Sequence, residues 1–228
     1  MIGLSSAETA PALEARSLYR FFRAGEEETL ALRGVTLALS PGEFVAVVGP
    51  SGSGKSTLLA CLAGLDDPDG GTVLVDGLRM SHRPEPVRAR LRAERIGVLT
   101  QSANLFQHLT VAANVRLAQT LSRRRPATGV HERLAAVGLA GRATAHPSEL
   151  SGGEAARAGL AVALSNDPAV VLADEPTGEL DRTTEAGVLD LLVAAARQGV
   201  AVLVASHSVA VMAAADRRID LVDGQVSG

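Results

Sequence analysis

The chain has 228 residues, 46% of them hydrophobic, and its 22 basic residues nearly balance 25 acidic ones, for a formal net charge of -3. A chain of this length can bury one substantial core or two small ones, and its near neutrality provides no overall field for holding nucleic acid or an anionic membrane. Lys55 is the single lysine of the chain, and all the other basic residues are arginines. This makes Lys55 a candidate for a specific role.

The compartment is indicated by the cysteine count and the apolar runs. Cys61 is the single cysteine and cannot form an internal disulfide, and the start MIGLSSAETA lacks the basic-then-apolar pattern of a secretory signal. No apolar run approaches the roughly 18 residues that a spanning helix needs. We therefore expect a cytoplasmic protein that does not cross a membrane by itself.

In chain order, the sequence predicts a loose tail over residues 1–12 and then an antiparallel pair of strands, 13–22 and 30–39, around an acidic turn at 25–28. Short apolar runs follow at 44–48, 72–75, 96–99, 170–173 and 200–205. Helical stretches lie between these runs, so the pattern predicts an α/β fold with a largely parallel central sheet.

The middle of the chain has a different character. Residues 101–147 contain no continuous β-type run, and the apolar residues of 111–121 and 130–139 recur at helical spacing. This predicts a helical insert within the α/β core. The arginine-rich loop 122–126 is either a basic contact site or a solvated turn, and the sequence leaves both open.

A phosphate-binding loop is indicated by residues 49–56. They read GPSGSGKS, follow the apolar run 44–48 and open a helix predicted at 56–63, which matches G-x-x-x-x-G-K-[ST] in its proper context. The glycines allow backbone N–H groups to face phosphate oxygens, Lys55 supplies a compact cation, and Ser56 supplies a hydroxyl for Mg²⁺. The alternative is a flexible glycine-rich turn.

Two further strand ends carry polar side chains. Asp174 and Glu175 end the run 170–173, where Asp174 would hold Mg²⁺ and Glu175 would orient or deprotonate the attacking water. His207 ends the apolar strand predicted over 200–206 and could approach the γ-phosphate as a donor. Taken alone, the acids could be an ordinary loop start and the histidine a hydrogen-bonded boundary residue.

The segment LSGGE at 150–154 opens another predicted helix. Its serine and glycines would present a hydroxyl and backbone donors at a helix N-terminus, which makes it a second anion site. The alternative for these residues in isolation is an ordinary serine N-cap.

The order of these motifs resembles the nucleotide-binding subunit of an ATP-binding cassette (ABC) transporter. The match includes the loop 49–56, Gln101, LSGGE at 150–154, LADEPTG at 172–178, Asp181 after Leu180, and His207, and it extends over residues 13–226. GLDDP at 64–68 and LADEPTGELD also look like the branch containing macrolide exporters, lipoprotein-release ATPases and the cell-division ATPase.

The resemblance implies a P-loop NTPase core with a mostly parallel sheet, an N-terminal antiparallel β subdomain and an inserted helical subdomain. Residues 13–228 would form one ABC ATPase domain, with 13–100 and 166–228 as the catalytic core and 101–165 as the helical subdomain carrying LSGGE. It further implies ATP and Mg²⁺ as ligands and a head-to-tail dimer in which each ATP lies between the two copies.

The resemblance also implies the site residues. Catalytic roles fall to Lys55, Gln101, Glu175 and His207, and metal contacts to Ser56, Gln101 and Asp174. Nucleotide contacts fall to Phe22, Gly49, Pro50, Ser51, Gly52, Ser53, Gly54, Lys55, Ser56 and Thr57 of one chain and to Ser151, Gly152, Gly153 and Glu154 of its partner, with Asp181 at the dimer seam. Phe22 would stack on adenine, with Tyr19 as the second candidate, although Phe22 could equally belong to the core.

Several positions depart from the family pattern. Ala155 and Ala156 replace a usual glutamine pair, Val162 stands where arginine is common, Thr100 replaces a phenylalanine, and Ala113 occupies a position that is often glutamate. Glu179 adds a negative charge near the expected dimer seam. These departures put permease coupling and insert packing in doubt more than hydrolysis.

The function implied is that of an ATPase subunit, peripheral on the cytoplasmic face of the membrane, which drives a separate membrane permease of an export, lipoprotein-release or cell-envelope system. The alternative is a nucleotide-gated regulatory or assembly ATPase of a membrane complex that transports no solute. No nucleic-acid partner is expected. Substrate and direction of transport would be determined by the membrane subunit.

Overall fold

The computed structural model describes residues 10–24, 27–100 and 104–227. The strands are β1 (Leu13–Ala24), β2 (Glu27–Leu39), β3 (Phe44–Val48), β4 (Gly70–Val75), β5 (Leu78–Arg79), β6 (Ile96–Leu99), β7 (Val170–Asp174), β8 (Ala201–Ala205), β9 (Arg217–Val222) and β10 (Gln225–Ser227). The helices are α1 (Lys55–Leu62), α2 (Glu85–Arg95), α3 (Val111–Leu121), α4 (Val130–Ala136), α5 (Gly152–Ala163), α6 (Arg182–Arg197) and α7 (Val209–Ala214).

A six-stranded sheet forms the centre of the fold, in the order β10-β9-β3-β8-β7-β6. All its pairs are parallel except β10 with β9 at one edge. Every residue of β3 and β8 is buried, because helices cover both faces and the strands are wholly apolar. The predicted α/β fold with a mostly parallel sheet is confirmed.

The second sheet is antiparallel, in the order β2-β1-β4-β5. Its β1–β2 pair confirms the predicted antiparallel pair, although residues 25–26 of the predicted turn lie outside the described residues. The run 72–75 was wrongly predicted to belong to the parallel sheet, because β4 pairs antiparallel with β1 here. Only Val73 and Val75 of that run are buried, and a strand with one buried face suits an antiparallel sheet.

Helix α1 packs in the core between the two sheets. Its Leu58 and Leu62 are buried with residues of both sheets, such as Leu13 and Val45. Cys61 lies in the same cluster, where burial raises the pKa of its thiol to about 12, so its predicted role as a small buried residue is confirmed. The opposite face of the parallel sheet is covered by α5 and α6.

The predicted helical insertion contains α3, α4 and α5, which share a small core that includes Val115, Leu134 and Ala158. Helix α3 has the predicted bounds, because the Thr110 side chain caps it by accepting from Ala113 N–H. Helix α4 is shorter than the predicted 130–139, since Gly138 takes a left-handed φ of 72° shortly after its end.

The end of the predicted tail is held by the sheet. Ala12 is buried, its N–H donates to Leu39 O, and its carbonyl accepts from Asp76 N–H, each at 2.8 Å. The loose tail therefore does not extend to Ala12, and residues 1–9 lie outside the described part of the chain. Among the helices of the described ranges, none has the length and apolar character required to cross a membrane.

Candidate nucleotide-binding site

A cleft of about 460 Å³ lies at the carboxyl ends of β3, β7 and β8. Such strand ends are where α/β sheets form ligand crevices. The described residues that line it are Phe22, Thr29, Leu30, Ala31, Arg33, Ser51, Gly52, Gly54, Lys55, Ser56, Thr57, Asp174, Glu175, His207, Asp223 and Gly224. The fold thus brings together predicted site residues that are far apart in sequence.

The phosphate loop ends in a helix start that has no side-chain cap. Gly54 is the N-cap of α1, with a left-handed φ of 102°, and no side chain bonds the first amides. Those amides have no partner inside the helix, so they are available to an anion. A Cβ on Gly54 would lie 2.5 Å from Ala31 O, which is why the loop can approach β2 only with glycine here.

Lys55 is buried at the floor of this loop. Its Nζ donates to Gly49 O at 2.8 Å and to Pro50 O at 3.0 Å, which holds the loop closed. An ammonium has three N–H donors, so one remains for a phosphate oxygen. Gly49, Pro50 and Ser53 do not line the cleft; Ser53 is buried, and its N–H closes the turn by donating to Pro50 O.

The acidic pair is placed by β7. Asp174 is its last residue, and Glu175 follows with a left-handed φ of 43° while its N–H donates to Ala205 O at 2.9 Å. Glu175 Oε2 accepts from the Ser206 hydroxyl at 3.0 Å, and Oε1 lies 3.7 Å from Nε2 of the exposed His207.

Magnesium fits the oxygen donors of this cleft. The Ser56 hydroxyl and the Asp174 carboxylate belong to residues that line it, and Mg²⁺ prefers such oxygen ligands while keeping several waters. Gln101, the third predicted metal contact, lies outside the described residues.

Phe22 lines the cleft and is 43% exposed, so it does not belong to the core. The Arg20 guanidinium carbon lies 4.8 Å from the centre of its ring, and Asp66 and Asp69 hold that arginine at 2.8 and 3.0 Å. Tyr19, the other predicted aromatic, is not among the lining residues.

The predicted second anion site lies elsewhere on the same chain. Ser151 caps α5 by accepting from Glu154 N–H at 3.2 Å, and Glu154 Oε2 accepts from Ser151 N–H at 2.9 Å. That backbone bond holds the pKa of the Glu154 carboxyl below its ordinary value, and Arg142 adds to the effect. None of the residues 151–154 lines the cleft.

Asp181 has a structural role within its own chain. It caps α6 by accepting from Thr183 N–H and Thr184 N–H at 3.0 and 3.1 Å and from the Thr184 hydroxyl at 2.5 Å. The Thr184 hydroxyl is the main reason that the pKa of Asp181 is lowered. Thr184 also packs against Gly153, which joins the start of α5 to the start of α6.

Sequence reasoning missed part of the cleft wall. Residues 29–31 and Arg33 come from β2, and Asp223 and Gly224 come from the turn between β9 and β10. The Asp-Gly pair was a usable turn signal, whereas nothing local in β2 indicates a ligand.

Comparisons with known proteins agree with this geometry. The model of the family described as ABC transporter matches residues 32–178. Two uncharacterized ABC transporter ATP-binding proteins of Mycobacterium tuberculosis strains, MT1014 and Rv0986, are each 40% identical to this chain over 220 residues, which is 95% of this chain and 89% of theirs.

Solved structures show the same likeness. The ATP-binding cassette MJ0796, in a dimeric post-hydrolysis state bound to ADP and Pi, has a TM-score of 0.87 and 34% identity over 95% of this chain and 97% of its own. A second dimeric structure of MJ0796, a bacterial ABC transporter cassette, has a TM-score of 0.85 with the same identity and coverage. The chain therefore belongs to the ABC transporter ATP-binding family and is an ATPase of the ABC type.

Proposed function

We propose that two copies of this chain bind two ATP molecules head to tail and that hydrolysis powers a separate membrane permease of an export, lipoprotein-release or cell-envelope system. The observation that carries this proposal is the separation of the two anion sites. The cleft contains Lys55, Asp174, Glu175 and His207, while the segment 151–154 lies outside the cleft of its own chain. A second copy supplies the missing side, and the dimeric MJ0796 cassettes support this arrangement.

The residues of the cleft have different roles in ATP binding and hydrolysis. The first amides of α1 and Lys55 bind the phosphates, and Phe22 stacks on the adenine. Ser56, Asp174 and Gln101 would hold Mg²⁺, which when bound neutralises charge on the β- and γ-phosphates. Glu175 accepts a proton from the attacking water, and His207 donates a hydrogen bond to the γ-phosphate.

The hydrolytic role of Glu175 is tested by Glu175→Gln. The amide cannot accept the proton, so kcat falls by about 10²- to 10⁴-fold while ATP binding is retained. Phosphate release measures the rate, and size-exclusion chromatography with ATP shows an accumulated dimer. Glu132→Gln, on α4 of the helical insert, is the control and keeps the parent rate; a Glu175→Gln variant at the parent rate contradicts the assignment.

A second cavity, of about 720 Å³, is the proposed permease contact. It lies between α2, β6 and the helical insert and is mostly apolar, with Leu65, Ile96 and Leu121 in its wall. Two arginines of its lining are already paired, Arg90 with Glu94 and Arg92 with Glu85, each at 2.9 Å, so the cavity favours an apolar segment. Two of the departures from the family pattern, Thr100 and Val162, also line it.

Leu121→Arg, at an exposed residue of the apolar wall, tests this contact. A long cation in the apolar wall should abolish copurification with the integral membrane partner that the wild type recovers and leave ATP hydrolysis by the isolated protein unchanged. Val226→Arg, on the exposed edge strand β10, is the control. A wild-type protein that recovers no integral membrane partner on coexpression would contradict the transport proposal.

A further inference from the structure

The hydroxyl of Ser206 contacts the carboxylate that the proposed hydrolysis uses. Ser206 follows β8, is 1% exposed and does not line the cleft. Its Oγ donates to Glu175 Oε2 at 3.0 Å. The backbone holds both residues, since Glu175 N–H donates to Ala205 O at 2.9 Å and Ser206 N–H to Val47 O at 3.2 Å.

The direction of the hydroxyl proton follows from a second hydrogen bond. Ser208 N–H donates to Ser206 Oγ at 3.1 Å, so the serine oxygen already acts as an acceptor there. An ionised carboxylate can only accept, and a hydroxyl has a single proton to donate. The Ser206 O–H therefore points at Glu175, and its orientation is fixed from both sides.

The two carboxylate oxygens of Glu175 have different surroundings. Oε2 is held by Ser206, whereas Oε1 is buried and accepts no hydrogen bond from the described residues. The distance of 3.7 Å from Oε1 to His207 Nε2 is beyond hydrogen-bond range. The left-handed φ of Glu175 adds backbone strain of the kind that structures retain at functional sites.

We propose that Ser206 is a positioning residue for Glu175: its hydroxyl holds Oε2, so that Oε1 is the oxygen that receives the proton of the attacking water. The inference rests on the proposed function of Glu175. Without this bond the carboxylate can rotate, and a misplacement of about 1 Å costs about 100-fold in rate. Ser206 lies outside the phosphate loop, so its loss lowers kcat and leaves the KM for ATP unchanged.

The test compares Ser206→Thr with Ser206→Val. These side chains have nearly the same shape and differ in one hydroxyl, so the ratio of their kcat values isolates the hydrogen bond. We expect the threonine variant to retain the wild-type kcat and the valine variant to lose about 10- to 100-fold at equal KM. Ser165→Ala is the control, because Ser165 is also 1% exposed and its hydroxyl has no partner among the described residues.

Equal kcat values for the threonine and valine variants, or a change confined to KM, would overturn the inference. If the larger side chains prevent folding, Ser206→Ala decides, because it only removes an atom; a wild-type kcat in that variant overturns the inference while the proposed function stands. A wild-type protein that hydrolyses no ATP overturns both.

Discussion

Two helices of this chain begin at glycine-rich segments, and their N-termini are built differently. Helix α1 starts from Gly54 without a side-chain cap and opens directly on the cleft. Helix α5 starts from Ser151 with a complete capping box, in which Ser151 and Glu154 satisfy each other's backbone N–H groups.

In the proposed dimer, this difference gives the two helix starts unequal parts in binding the nucleotide. At α1 the amides of the first turn are left for a ligand, and Lys55 adds a positive charge beside them. At α5 two of the donors are committed to the capping box, which leaves the amides of Gly152 and Gly153. The first site therefore offers more donors to phosphate than the second, which in the proposed dimer faces the cleft of another copy.

The largest expected effect comes from the uncapped helix. Lys55→Ala removes the donor to Gly49 O and Pro50 O as well as the phosphate contact, and a hydrogen bond to a charged group contributes about 1.5–3 kcal/mol. ATP affinity measured by calorimetry should therefore fall by about 10- to 100-fold. Arg33→Ala removes the same charge from the same cleft and should cost only about twofold to fivefold. Equal losses of ATP affinity in the two variants would show that ATP binding depends on the charge of the cleft and not on the position of Lys55.

A smaller effect is expected where α5 meets α6. A Cβ on Gly153 would overlap the Thr184 methyl group, and Thr184 cannot rotate freely because its hydroxyl donates to Asp181. Gly153→Ala should lower the free energy of unfolding by about 1–3 kcal/mol in urea denaturation. Adding Thr184→Ser removes the methyl, keeps the hydroxyl and should restore most of the loss.

Gly187→Ala provides the control for that substitution. Gly187 lies within α6 with open space around it, so alanine there should stabilise the protein by about 0.5–1 kcal/mol. A double variant no more stable than Gly153→Ala alone would mean that the overlap with Thr184 is not the cause.

The smallest effect concerns the capping box and is seen only in acid. The folded-state pKa of Glu154 is lowered from 4.5, so its contribution to stability is complete above that value and is lost as the pH falls through the folded pKa. Glu154→Gln keeps an acceptor for Ser151 N–H but does not titrate. The melting temperature, measured between about pH 6 and about pH 3.5, should therefore fall more steeply for the wild type than for Glu154→Gln. Parallel curves would contradict the assignment.

The sequence was most informative where local pattern and packing agree. Helix α3 has its predicted bounds because Thr110 caps it and its apolar residues face one small core. The wholly buried strand β3 was equally readable, since every one of its residues is apolar. The phosphate loop followed from eight positions between a strand and a helix.

Which strands pair with each other was harder to predict from the sequence than where the strands lie. The run 72–75 is apolar like β3, yet it pairs with β1, and the alternation of Val73 and Val75 was the only local sign of this. Ser206 gave no sequence signal, because its importance depends on Glu175, a residue that the sheet brings beside it from another strand end. The wall formed by β2 was missed for the same reason.

The central position of β3 has a consequence for synthesis of the protein. Its partners β8 and β9 come much later in the chain, and Phe44 N–H donates to Asp216, 172 residues away, at 2.9 Å. At translation rates of about 5–20 residues per second, the strand that supports the phosphate loop waits on the order of ten seconds or more for its neighbours. ATP can therefore stabilise the folded cleft only after β8 and β9 have been synthesised, and a nascent chain must protect an apolar strand until then.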